Sequence, residues 1–109
     1  MTLPPAFRPY AEVIGDPISH SKSPRIHGFW LKALGIDANY RACHVRPDDL
    51  GTYIASRRTD ASWRGCNVTI PHKQAIVPFL DAIDAKAAAV GAVNTVLRDG
   101  SGAMLGTNT

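Results

Sequence analysis

The chain has 109 residues, 45% of them hydrophobic, enough apolar material for one core of moderate size and hence a single domain. A formal charge of +3 is spread thinly, with no basic cluster denser than Arg57-Arg58, which argues against a nucleic-acid partner and leaves a small acid open as ligand. Two cysteines without a CxxC neighbour, Cys43 and Cys66, exclude a disulfide framework, and no apolar run reaches the length of a signal peptide or membrane span, so a soluble cytoplasmic protein with free thiols and no membrane partner is expected.

Prolines at 4, 5 and 9 make residues 1–9 an extended leader, with the domain proper over 10–109. Ala11-Glu12-Val13-Ile14 reads as a first strand, stopped by Gly15-Asp16-Pro17. Ser23-Pro24 reads as an N-cap followed by proline at the first helical position. Ile26, Phe29, Trp30 and Leu34 then carry a helical period, so a helix is expected from Pro24 to Leu34, closed by Gly35. Asn39 to Val45 is a second strand, and Pro47-Asp48-Asp49 opens a helix whose Leu50, Tyr53 and Ile54 share one apolar face.

Trp63 to Thr69 is the third strand, ending at Pro71. Gln74 to Val77 gives a helical turn interrupted by Pro78, and Asp81 to Val90 an Ala-rich helix that Gly91 ends. Ala92 to Leu97, then Asp99-Gly100-Ser101-Gly102, then Ala103-Met104-Leu105 form a hairpin signal. Strands alternating with helices predict an α/β fold: a three-layer open sheet, mainly parallel, flanked by helices, with an antiparallel pair at its end.

In such sheets ligands lie at the carboxyl ends of the strands, so the segments after each strand carry the chemistry. Gly15 to Pro24 places Ser19, Ser21 and Ser23 along a loop entering a helix N-terminus, where unpaired N–H groups and hydroxyls suit a carboxylate or phosphate. The plainer alternative is that Ser23 caps the helix while Ser19 and Ser21 are solvated. In Asn67-Val68-Thr69-Ile70-Pro71-His72-Lys73, polar Asn67 and Thr69 alternate along a strand end, and Lys73 follows within a turn. It could exchange a proton with a substrate hydroxyl or stabilise an alkoxide, or simply be solvated. Asn94, in Gly91-Ala92-Val93-Asn94-Thr95, can donate and accept at once, although asparagine there also serves turns. The four histidines, His20, His27, His44 and His72, show no metal-ligand spacing, and neither GxGxxG nor a Walker loop is present, so neither a metal site nor a cofactor-binding residue is expected in this chain.

Taken together, Val13 to His27, Asn67 to Lys73, Gly91 to Thr95 and Gly106 to Thr109 resemble, in order and spacing, the N-terminal domain of shikimate dehydrogenases, from about Tyr10 to the last residue. The resemblance implies a reversible, NADP-dependent interconversion of 3-dehydroshikimate and shikimate, a step towards chorismate and the aromatic amino acids. It implies substrate bound in this α/β domain and NADP in a C-terminal Rossmann domain, which these 109 residues do not include. Ser21 and Ser23 would then hold the substrate carboxylate, and Thr69, Asn94 and Lys73 would meet the ring hydroxyls. Lys73 would be the catalytic group, with Asn67 a lesser contact.

Two departures stand out: His27 is followed by Gly28 where the family pattern commonly has asparagine, and the chain stops at Thr109, one residue short of the aspartate that partners the lysine. The 109 residues alone are therefore expected to bind the acid but not to reduce it, because no cofactor fold is present to position a nicotinamide. A stand-alone module binding shikimate or quinate, or a fragment of a quinate-using relative, is the alternative. A homodimer is left open.

Overall fold

The computed structural model describes residues 9–18 and 39–109. In chain order they form β1 (Tyr10–Gly15), β2 (Asn39–His44), α1 (Leu50–Arg58), β3 (Trp63–Val68), α2 (His72–Ala75), β4 (Ala82–Ile83), α3 (Ala85–Val90), β5 (Thr95–Arg98) and β6 (Met104–Thr107), with single 3-10 turns at Pro47–Asp49 and Val77–Phe79. The expected helix from Pro24 to Leu34 lies outside the described residues, as does most of the leader.

Six strands make one sheet in the order β2-β1-β3-β5-β6-β4. The first three are parallel, β5 runs antiparallel to both β3 and β6, and β4 runs parallel to β6. The antiparallel part therefore begins at β3, one strand earlier than the terminal hairpin alone requires. β1, flanked on both sides, is buried from Glu12 to Gly15, as interior parallel strands are.

α1 follows from its sequence. Proline opens the preceding turn, Asp48 and Asp49 face the positive end of the dipole, and Arg57 and Arg58 occupy the last turn. Leu50, Tyr53 and Ile54 are buried in one cluster with Ile14, Trp63, Cys66, Val68, Ile76, Ala87, Val93, Val96 and Met104. α1, α3 and Ile76 just past α2 thus share one core with β1, β3, β5 and β6.

Set into that core is a carboxylate. Glu12 is fully buried and accepts hydrogen bonds from Tyr53 Oη at 2.8 Å, from Arg57 Nε at 2.8 Å and Nη2 at 3.2 Å, and from Arg41 Nε at 3.0 Å. Burial alone would raise its pKa, but the Arg57 and Tyr53 hydrogen bonds and the Arg57 charge together hold it below the usual glutamate range.

One expectation fails over Asp81 to Val90. Ala82–Ile83 is a strand pairing with Leu105 and Gly106, and the helix starts only at Ala85. Sheet-edge partners override the helix propensity of the alanine-rich stretch. The Asp81 N–H donates to the Met104 carbonyl at 2.9 Å, and the Met104 N–H returns a bond to Asp81 Oδ2 at 2.6 Å. Asp84 caps the helix, accepting from the Ala87 N–H at 2.9 Å. Gly91 closes it in the left-handed conformation at φ 76°, its N–H reaching the Ala87 carbonyl at 2.8 Å. The short turn expected at Gln74 to Val77 starts instead at His72, just beyond the strand-ending Pro71.

Candidate substrate site

The carboxyl ends of β1 and β3 are laced together past the strands themselves. The Thr69 N–H donates to the Ile14 carbonyl at 3.0 Å and the Asp16 N–H to the Ile70 carbonyl at 3.1 Å. Between them the Thr69 methyl occupies the space a side chain at Gly15 would need: a Cβ there would lie 2.4 Å from that methyl and 3.0 Å from the Ile70 carbonyl oxygen. Only glycine permits this approach, and it sets Thr69 against the root of the loop that leads towards Ser19.

Beyond β3, α2 is a single turn anchored at its first residue. The His72 N–H donates to the Thr69 carbonyl at 3.0 Å, and the fully buried His72 ring places Nε2 2.5 Å from the Val45 carbonyl at the end of β2. A carbonyl accepts only, so the ring donates through Nε2. Lys73 follows, exposed, with no carboxylate partner among the described residues. Its own carbonyl accepts from the Val93 N–H at 2.8 Å, which ties the lysine turn to the segment bearing Asn94.

Asn94 is held by backbone on both sides, its carbonyl accepting from Val68 N–H at 2.8 Å and its N–H donating to Thr107 at 3.0 Å. Its side chain meets the end of the chain, Oδ1 accepting from the Thr109 N–H at 3.0 Å and Nδ2 donating to the Thr109 carbonyl at 3.1 Å. Asn67 lies one residue before Val68 on β3, part-buried, with its side chain bonded to Tyr40 and Thr95. Four of the residues singled out from sequence, Asn67, Thr69, Lys73 and Asn94, are therefore gathered by strand ends into one corner. Ser21 and Ser23 lie outside the described residues.

Further groups in this corner were not anticipated. His44 Nε2 and Asp16 Oδ1 lie 2.6 Å apart where β1 and β2 end. Tyr40 and Thr95 hold Asn67 between them; nothing in the sequence marks Tyr40 beyond its β propensity, and Thr95 had drawn notice only as a neighbour of Asn94. Burial, with the neighbouring Cys66 thiol, pushes the Tyr40 phenol up to about 12, so its hydroxyl remains a donor at neutral pH.

β1 leads into Gly15-Asp16-Pro17 rather than the glycine-rich turn of a dinucleotide site. Among the described residues no cluster of three or more His, Cys, Asp or Glu could hold a metal. Fold and site together define an α/β domain with polar side chains gathered at its strand ends.

Residues 13–96 match the family model described as the shikimate dehydrogenase substrate binding domain, and the chain belongs to that family. It is 54% identical over 105 residues to the NADP(+) shikimate dehydrogenase of Sphingopyxis alaskensis, an alignment spanning 96% of this chain and 38% of that protein. Its fold superposes on the crystal structure of Thermus thermophilus shikimate 5-dehydrogenase in complex with shikimate, with a TM-score of 0.85 at 36% identity, over 92% of this chain and 38% of that one. It also superposes on the shikimate dehydrogenase of Aquifex aeolicus, with a TM-score of 0.89 at 33% identity, over 97% and 39%. The chain thus spans under two-fifths of the length of these relatives.

Proposed function

We propose that this chain is the substrate-binding part of an NADP-dependent shikimate dehydrogenase acting in cytoplasmic chorismate biosynthesis, and that its ligand is shikimate or 3-dehydroshikimate. The observation that carries the reading is the convergence of Asn67, Thr69, Lys73 and Asn94 on one corner at the ends of β1 and β3, through the Thr69–Ile14, Val68–Asn94 and Val93–Lys73 backbone bonds. Two amides, a hydroxyl and an ammonium supply both donors and acceptors, which a ring bearing several hydroxyls requires and an apolar ligand does not.

In this reading Ser21 and Ser23 take the carboxylate, and Asn67, Thr69 and Asn94 orient the ring. The ammonium of Lys73, open to solvent, holds the proton exchanged with the reacting oxygen. The hydride and the fold that carries NADP belong to the part of the relatives' length that this chain does not span.

Titration of the 109-residue chain with shikimate by calorimetry or amide chemical shifts tests the reading. Saturable binding that is weakened tenfold or more (~1.4 kcal/mol or above) in a Ser21→Ala, Ser23→Ala double variant is expected. Unchanged affinity in that variant would remove the carboxylate assignment.

A further inference from the structure

The hydrogen bonds around Asn67 have a direction. Tyr40 on β2 reaches across β1, and its hydroxyl lies 2.5 Å from Asn67 Oδ1 on β3. The Thr109 N–H donates to Asn94 Oδ1, so the Thr95 hydroxyl bonded to that oxygen donates there and accepts from Asn67, which sets the Asn67 nitrogen towards Thr95 and its oxygen towards the phenol. Asn67 Nδ2 then donates to Thr95 Oγ1 at 3.3 Å, and the Thr95 hydroxyl, having accepted, donates onward to Asn94 Oδ1 at 3.0 Å. The polar chain runs one way, from Tyr40 through Asn67 and Thr95 to Asn94, and crosses strands β2, β1, β3 and β5.

We propose that Tyr40 and Thr95 are positioning residues that lock the Asn67 amide with its oxygen towards Tyr40, so that it offers the ligand an N–H and this corner favours a ligand oxygen that accepts a hydrogen bond. An amide has two N–H donors and one carbonyl oxygen. The Tyr40 hydroxyl donates to the oxygen and turns it towards β2, and Thr95 takes one N–H, which leaves the second N–H without a protein partner among the described residues. At the far end of the relay Asn94 Oδ1 accepts from both the Thr95 hydroxyl and the Thr109 N–H, which fixes the orientation of that amide as well. The two amides are thereby fixed before any ligand arrives, and rotating either would break bonds on a part-buried sheet face.

The inference rests on the proposed function, in that Asn67 and Asn94 are taken to meet the ligand, and the test separates the two. Shikimate affinity and thermal midpoint are measured on the 109-residue chain carrying Asn67→Ala, Asn94→Ala, Tyr40→Phe, Thr95→Val or Thr95→Ser, together with the side-chain amide NMR signals of Asn67. If neither alanine variant weakens binding, the substrate reading fails and the selectivity claim with it.

If they weaken it, Tyr40→Phe and Thr95→Val are expected to raise the shikimate dissociation constant about three- to tenfold, the range a single polar contact supports. Thr95→Ser should restore wild-type affinity, and the Asn67 amide signals should move in Tyr40→Phe without ligand. Affinity within twofold of wild type in both Tyr40→Phe and Thr95→Val would overturn the inference while leaving the substrate reading intact. A Thr95→Ser variant as weak as Thr95→Val would also overturn it, because the effect would then follow the methyl group rather than the hydroxyl.

Discussion

Replacing Glu12 by glutamine removes a charge that two arginines and a tyrosine converge on. Glu12 is fully buried, whereas the Arg57 side chain keeps 19% of its exposure and Arg41 59%, so Arg41 can return to water while Arg57 cannot fully do so. Breaking a buried ion pair at one partner costs about 3 to 5 kcal/mol, and the residual exposure of Arg57 places this case at the low end, about 3 kcal/mol. With a urea m-value of about 1.5 kcal/mol/M for a chain of this size, the unfolding midpoint should fall by about 2 M.

Equilibrium urea unfolding at pH 7, followed by fluorescence of the buried Trp63, measures the shift. A fall below about 0.5 M would refute the assignment of Glu12 as an ion-pair centre. The pH dependence is a second check. The folded carboxyl lies below its ordinary value of 4.5, so the stabilisation is complete above that value and is lost as pH falls through the folded one. The difference between wild type and Glu12→Gln should therefore be flat near neutrality and shrink below about pH 4.

In a chain completed by a cofactor domain, Lys73→Ala should lower kcat by about 10²- to 10⁴-fold, far more than it raises KM, and a kcat within threefold of wild type would reject it as the proton-transfer group. Gly15→Ala would drive a methyl into the Thr69 methyl 2.4 Å away; it should cost about 1 to 3 kcal/mol in thermal unfolding and weaken shikimate binding through the displaced Thr69. The Cys66 thiol is pushed up to about 12 by burial, and that of the half-buried Cys43 is also raised, chiefly by burial. Thiol titration at pH 8 should accordingly find Cys66 unreactive in the folded chain, Cys43 slow, and both reactive in denaturant; rapid modification of both in the native state would contradict the buried placement.

The elements with a strong period were legible. Leu50, Tyr53 and Ile54 carried α1, and Pro71 and Gly91 marked ends that local chemistry enforces. The Asp81 to Val90 stretch was not, because the pairing of Ala82 and Ile83 with β6 depends on a strand formed more than twenty residues later, which no local propensity contains. Glu12 reads as a lone carboxylate in an apolar run, since its arginine partners lie 29 and 45 residues along the chain. The candidate residues stood out in the sequence only as residue types after strand ends, and the fold brings Asn67, Thr69, Lys73 and Asn94 to neighbouring strand ends. The Tyr40–Asn67–Thr95 contacts, spaced 27 and 28 residues apart, had no sequence signal, because they depend on strand order and register.

The bond from Val93 N–H to the Lys73 carbonyl gives the site a mechanical property. The lysine turn and the asparagine segment are stapled at one point, so a ligand that quiets one quiets the other, and both should open together in hydrogen exchange as one unit. Slower exchange of the amide of fully buried Val93, at the heart of that staple, is the change expected when shikimate is added, although the lysine beside it stands in solvent.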